Sequence, residues 1–296
     1  VKIAPKPLGV NWGNTTLTYD GTSQQPSATL TGRVNNDDVY LEIDNKPINA
    51  GTYTTEGLSL VGGDAGNYFL ADDVHGTKFT IQPVPLTITA NPKTITYGDA
   101  PDNDGVTYNG FVYGENEYIP NILNGELDYT YDYEQYGDVG SYTITPGGLT
   151  SNNYNIRFVE GPLTVNKKTI TINWGNLRHT YDGNPWAPTP TAEGMVNGDE
   201  LTLTVTGQKT DVGGDFATVT EIQGEKARNY KLPIVNSEFF FIEEADARVT
   251  DEPSAKTGLT YNGEPQELIN PGSSDDGTFK YWLKYEAGST EIPKGT

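Results

Sequence analysis

Few residues in this chain are of a type that does chemistry. There are two histidines, His75 and His179, and no cysteine, so thiolate nucleophiles, disulfides and cysteine-based zinc or iron–sulfur sites are ruled out by composition. A metal or acid–base site built on histidine needs partners at a fixed spacing. His75 and His179 lack them and read as solvated loop or strand residues. No GxSxG, HExxH or P-loop pattern occurs, and the chain is read as not an enzyme.

Oxygen ligands are more abundant. Asp99, Asp102 and Asp104, in Asp99-Ala100-Pro101-Asp102-Asn103-Asp104-Gly105, are the best calcium candidates, because acidic loops bind that ion through oxygen. The segment departs from the EF-hand template, with Ala100 at the first ligand position and Phe111 where the bidentate Glu belongs. Acidic clusters serve equally well as turns, in which Asp and Asn accept local backbone hydrogen bonds. No other cofactor is expected. Lys93 and Lys168 open strands and could enter a Lys–Asn isopeptide bond, but edge lysines that discourage strand pairing are the simpler reading. Trp186, in Asn184-Pro185-Trp186-Ala187-Pro188, is the candidate contact residue for a ligand, since an aromatic face in a Pro-rich loop suits a sugar or a protein surface. Packing is the competing role, because large aromatics are mostly buried.

The elements that hold these residues are repeated. Thr18-Tyr19-Asp20-Gly21, Thr96-Tyr97-Gly98-Asp99, Thr180-Tyr181-Asp182-Gly183 and Thr260-Tyr261-Asn262-Gly263 follow one another at steps of 78, 84 and 80 residues. A Gly-containing turn into a strand comes next in three copies, at Ala50-Gly51, Val139-Gly140 and Val212-Gly213, followed by an Asn-Tyr pair at Asn67-Tyr68, Asn153-Tyr154 and Asn229-Tyr230. Self-similarity at this period marks tandem units. They are placed at 1–83, 84–166 and 167–246, with a truncated fourth at 247–296. Apolar residues alternate at period two in the opening and closing strands. Their parity changes between Val165 and Ile170, so the inward face changes from one unit to the next. The fourth unit ends where its second strand marker should begin, so it is expected to need a neighbouring molecule for closure, unless its boundary is arbitrary.

Tyr, Thr, Gly and Pro are frequent, an all-β composition with many turns. The net charge of -21, spread along the chain, repels phosphate backbones and argues against nucleic acid. No apolar run is long enough to span a bilayer, and the chain is expected to be a piece of a longer exported protein whose leader and anchor lie elsewhere.

The Tyr-Asp-Gly and Tyr-Gly-Asp turns, the Ala50-Gly51-Thr52-Tyr53 step and the closing Gly161-Pro162-Leu163-Thr164-Val165 strand resemble the tandem MBG and YDG-type repeats of bacterial surface proteins of adhesin type. Residues 85–166 are most similar to the YGX subtype, and 7–83 and 168–243 to the YDG-like form. The resemblance implies export, display at the cell surface and a non-catalytic stalk or adhesion role, with a host or matrix glycan or protein as partner. The alternative is a carbohydrate- or host-ligand-binding module using loop aromatics. The expected fold is a series of small antiparallel, immunoglobulin-like β-sandwiches of six or seven strands each, in an elongated rod. Repeats of β-grasp type, with a short helix near Gly114 to Gly125, are the alternative.

Overall fold

The computed structural model describes residues 3–246 and 248–274. The fold is all-β. The first repeat contains β1 (Lys6–Gly13), β2 (Thr16–Thr18), β3 (Ser27–Thr31), β4 (Tyr40–Glu42), β5 (Gly51–Thr54), β6 (Ser59–Val61), β7 (Tyr68–Leu70) and β8 (Lys78–Gln82). The second contains β9 (Val84–Ala90), β10 (Lys93–Thr96), β11 (Val106–Asn109), β12 (Asp128–Tyr131), β13 (Gly140–Gly147), β14 (Tyr154–Val159) and β15 (Gly161–Asn166). The third contains β16 (Lys168–Thr169), β17 (Thr171–Asn173), β18 (Arg178–Thr180), β19 (Thr191–Glu193), β20 (Thr202–Thr206), β21 (Gly213–Gln223), β22 (Tyr230–Lys231) and β23 (Ser237–Glu243).

The second repeat shows the plan most clearly. A three-stranded sheet of order β11-β9-β14 faces a four-stranded sheet of order β10-β15-β13-β12. In β9, Leu86, Ile88 and Ala90 are buried while Thr87 and Thr89 are half-exposed, the period-two pattern that places one face of a strand in a core. From the other sheet Ile144, Leu163 and Val165 are buried.

The sheets are mixed rather than wholly antiparallel. β9 pairs with β11 antiparallel but with β14 parallel, and β10 runs parallel to β15. The first repeat has the same parallel pairs, β1 with β7 and β2 with β8, and the third has β16 with β22 and β18 with β23. A parallel pair needs a crossover between its strands; in the second repeat the chain passes through β10 to β13 between β9 and β14. Residues Gly114 to Gly125, weak as strand in the sequence, fold as successive turns instead of a helix.

Closure is identical in the three repeats: the backbone N–H groups of Tyr19, Tyr97 and Tyr181 donate to the carbonyls of Gln82, Asn166 and Glu243 at 2.9, 2.8 and 2.9 Å. Each Thr-Tyr marker is thus fixed beside the last residue of its own closing strand.

Two compact units divide the chain, and the division runs through the third repeat. One comprises Val1–Ile170, Gly194–Leu201 and Gly224–Lys231. Within it the first and second repeats share one buried cluster, in which Tyr19, Phe79 and Ile81 lie with Leu86, Ile88, Ile122 and Tyr154. The inward parity also changes after β8, from Phe79 and Ile81 to Leu86 and Ile88, yet the apolar core runs through the junction without a break. The other unit comprises Thr171–Glu193, Thr202–Gln223 and Leu232–Thr296. Its core is Ala217, Phe240 and Ile242, with Trp174, Leu177 and Trp186 packed against it.

The described part of the fourth repeat forms β24 (Val249–Asp251), β25 (Ser254–Ala255), β26 (Ile269–Asn270) and β27 (Ser273–Ser274). They pair as β24 with β27 and β25 with β26. Among the described residues of that repeat none is buried, and Tyr261 is 93% exposed. The rest of its proposed extent, 275–296, lies outside the described residues, so the expectation about its closure does too. Among the described residues no helix is long and apolar enough to cross a membrane.

Candidate functional site

The Thr-Tyr marker and the Asn-Tyr marker, far apart in sequence, meet between repeats. At the first joint, Tyr19 of repeat one and Tyr154 of repeat two both donate their hydroxyls to the Glu115 carboxylate, Tyr154 at 2.5 Å. Their rings meet edge to face at 5.7 Å. The buried Asn153 accepts the Ala50 N–H at 2.8 Å on Oδ1 and donates to Asn49 Oδ1 at 3.1 Å from Nδ2. Every polar group brought into this apolar contact is therefore answered by another, which is what burial demands.

The second joint repeats the arrangement within the same unit. Tyr97 and Tyr230 donate to Asp199 Oδ2 at 2.8 and 2.7 Å, with their rings edge to face at 5.3 Å. Val139 N–H donates to Asn229 Oδ1 at 3.0 Å, and Asn229 Nδ2 donates to Asp138 Oδ1 at 2.8 Å. Asp138 also holds Lys226 at 3.1 Å and Arg228, an ionic addition to the hydrogen bonds of the first joint.

Local turns place the acid. Val112 and Val196 each accept, on their carbonyls, the N–H of the acid three residues on, Glu115 or Asp199, at 3.1 and 3.0 Å. Their own N–H groups donate to the hydroxyls of Tyr154 and Tyr230. Over these valines lie glycines of the Thr-Tyr turns. Gly21 has φ +80° and Gly98 φ +97°, and a Cβ on them would come within 3.2 Å of Val112 and 2.9 Å of Val196. Glycine thus answers both the backbone conformation and the close approach.

Burial, and after it the hydrogen bond to the shared carboxylate, raises the tyrosine pKa values. Tyr154 is pushed up to about 12 beside Glu115, and Tyr97 and Tyr230 to about 12 beside Asp199. Tyr19 is raised further still for the same two reasons. A phenol that must stay protonated to donate, facing an ionised acceptor, gives a short charge-assisted bond. Such a pair serves cohesion.

In the sequence alone the acids Asp37, Glu115 and Asp199 are assigned no role at a joint; Asp37 enters only in the acidic cluster Asn36-Asp37-Asp38, which reads as a turn. The signal is there: each stands eighteen residues after its repeat tyrosine, and Val34, Val112 and Val196 stand fifteen after.

The residues that were singled out lie elsewhere. Asp102 and Asp104 come together on Lys93, at 3.0 and 2.6 Å from its Nζ. The lysine holds the Asp102 carboxyl below its usual range, and is itself raised by Asp104 and Asp102. Asp99 is not part of this group; it accepts the Thr96 N–H at 2.9 Å within its own turn. Among the described residues no three His, Cys, Asp or Glu side chains are grouped to hold a metal. Lys168 lies in β16, paired with Tyr230 in register.

Trp186, in the second unit, is half-buried, stacked on His179 at 4.8 Å and edge-on to Phe240 at 5.5 Å. Its backbone bridges to Lys209. The side chain is thus built into the core margin of that unit, with His179 beneath it. His75 contributes its carbonyl to Trp12 Nε1 at 3.3 Å.

The fold is all-β, and the Thr-Tyr and Asn-Tyr markers that recur along the sequence meet at two joints of one construction. Residues 86–164 match the MBG domain of YGX type. No curated protein matches the chain. A solved structure from Bacteroides ovatus, SGBP-B of the mixed-linkage glucan utilization locus in complex with a mixed-linkage heptasaccharide, aligns at 11% identity. The alignment covers 86% of this chain and 72% of that one with a TM-score of 0.16, too low to bear on fold or ligand.

Proposed function

We propose that this chain is a non-catalytic, extracellular spacer of a bacterial surface protein, in which successive repeats are locked to one another so that they carry other domains outward. One observation supports it above the others: the same tyrosine–carboxylate–tyrosine joint, with the same asparagine clamp, is built twice. A flexible linker needs no such fixture, and a binding module has no reason to repeat it between neighbours. The MBG match within the second repeat supports a place at the cell surface, in keeping with the resemblance of the other repeats.

Hydrogen exchange on the whole chain tests this. Repeats one and two should open together in the native protein. Glu115→Ala leaves two buried phenol hydroxyls without their acceptor, a loss of about 1–3 kcal/mol for such groups, and should let repeat one open separately. Unchanged coupling in that variant would remove the basis of the spacer reading. So would saturable binding of a polysaccharide or mucin that is abolished by Trp186→Ala.

A further inference from the structure

The first repeat carries the receiving half of the same joint, and among the described residues no Thr-Tyr turn donates to it. Val34 accepts the Asp37 N–H at 3.3 Å and donates to the Tyr68 hydroxyl at 3.1 Å, the turn seen at Val112 and Val196. Tyr68 in turn donates to Asp37 Oδ2 at 2.5 Å. Asp37, Asn67 and Tyr68 therefore stand where Glu115, Asn153 and Tyr154 stand at the first joint, and where Asp199, Asn229 and Tyr230 stand at the second. Asn153 and Asn229 are 3% and 0% exposed, whereas Asn67 is exposed and its side chain has no hydrogen-bond partner among the described residues. Val34, the counterpart of the valines covered by Gly21 and Gly98, is 42% exposed. These groups line one concavity with Ile3.

Strand register shows what belongs there. Lys6, Val84 and Lys168 pair with Tyr68, Tyr154 and Tyr230 respectively. Counting back from those pairs, Ile3 occupies the position of Ile81 and Val165, the apolar ends of the closing strands that lead into the two filled joints. Those two are 0% and 3% exposed; Ile3 is 90% exposed.

We infer that Val34, Asp37, Asn67 and Tyr68 form a docking socket for another repeat of this class set in tandem ahead of residue 5. That repeat supplies a Thr-Tyr turn, whose hydroxyl donates to Asp37 and whose glycine covers Val34. It also supplies an Ala-Gly or Val-Gly step, whose N–H donates to Asn67 Oδ1. The inference rests on the spacer reading above, and extends it to a surface that the described residues leave open.

The test replaces residues 1–4 with a second copy of residues 84–166, so that the added Asn166 runs into Pro5 as Asn166 runs into Lys167 in the chain itself. Amide exchange of the added Val139 is compared with that of the internal Val139, which bonds Asn229. The expected result is protection of both, with Asp37→Asn and Asn67→Ala each reducing protection of the added amide at least tenfold and sparing the internal one. If the internal amide is protected and the added one exchanges freely, the socket is overturned while the spacer reading stands. Free exchange at both overturns the two together. Sedimentation of the unextended chain supplies the second arm. It should show no self-association that depends on Asp37; self-association abolished by Asp37→Asn would make a second copy the occupant and overturn the tandem assignment.

Discussion

A single carboxylate at each joint accepts two phenol hydroxyls, which makes the tyrosines sensitive to alkali. Tyr97 and Tyr230 are raised from 10.0 to about 12, so the folded joint favours the protonated phenol. Their contribution to stability is whole below pH 10 and is lost as pH rises through about 12, because the unfolded chain gives up these protons first. Tyrosine-ring titration by NMR should place both near 12 in the native protein. In Asp199→Asn both should move down without reaching 10, since burial is the larger cause of the rise and the carboxylate the next. Absence of any movement would show that the carboxylate is not felt. At this scale the sequence exposes half of the device. Tyr19, Tyr97, Asn153 and Asn229 stand out because their neighbours Gly21, Gly98 and the Asn-Tyr pairing are distinctive. Asp37, Glu115 and Asp199 do not, because they lie among forty acids and only their common distance from the tyrosine separates them from ordinary turn residues.

At the scale of the element, alternation in β9 and β15 tells which side chains face inward, and Leu86, Ile88, Leu163 and Val165 are buried as their spacing requires. The same alternation is silent about partners. Nothing in Val84–Ala90 distinguishes a strand that lies parallel to β14 from one in an antiparallel meander, because direction is set by the crossover and not by the face. Where the two sheets of repeat two converge, Gly161 begins β15 with its α-carbon against Ala90. A Cβ there would sit 2.2 Å from the Ala90 carbonyl oxygen, a backbone atom that cannot turn aside. Gly161→Ala should therefore cost about 1–3 kcal/mol, the usual range for overpacking, read as a lower denaturant midpoint. Gly66→Ala, where nothing lies within 4 Å, serves as the control and should leave the midpoint nearly unchanged. Equal effects of the two would mean that the sheets yield at Ala90.

On the scale of the whole molecule, charge works against the contacts described above. The chain has 19 Lys and Arg against 40 Asp and Glu, so acidic charges outnumber basic ones by 21. Ion pairs that do form are mostly near the surface, such as Lys256 with Glu267 and Arg178 with Glu243, where screening and side-chain entropy leave them little net value. Asp138, which gathers Lys226 and Arg228 at the second joint, is the more enclosed exception. Net self-repulsion opposes the compact state, and the apolar cluster and the phenol–carboxylate bonds act against it. Salt shortens the reach of the repulsion to about 8 Å at physiological ionic strength and touches the buried bonds far less. Raising sodium chloride from low to physiological concentration at neutral pH should therefore raise the thermal midpoint by a few degrees, as a gain of about 1 kcal/mol would in chains of this size. The opposite sign, a midpoint that falls with salt, would mean that surface ion pairs and not the buried joints hold the repeats together.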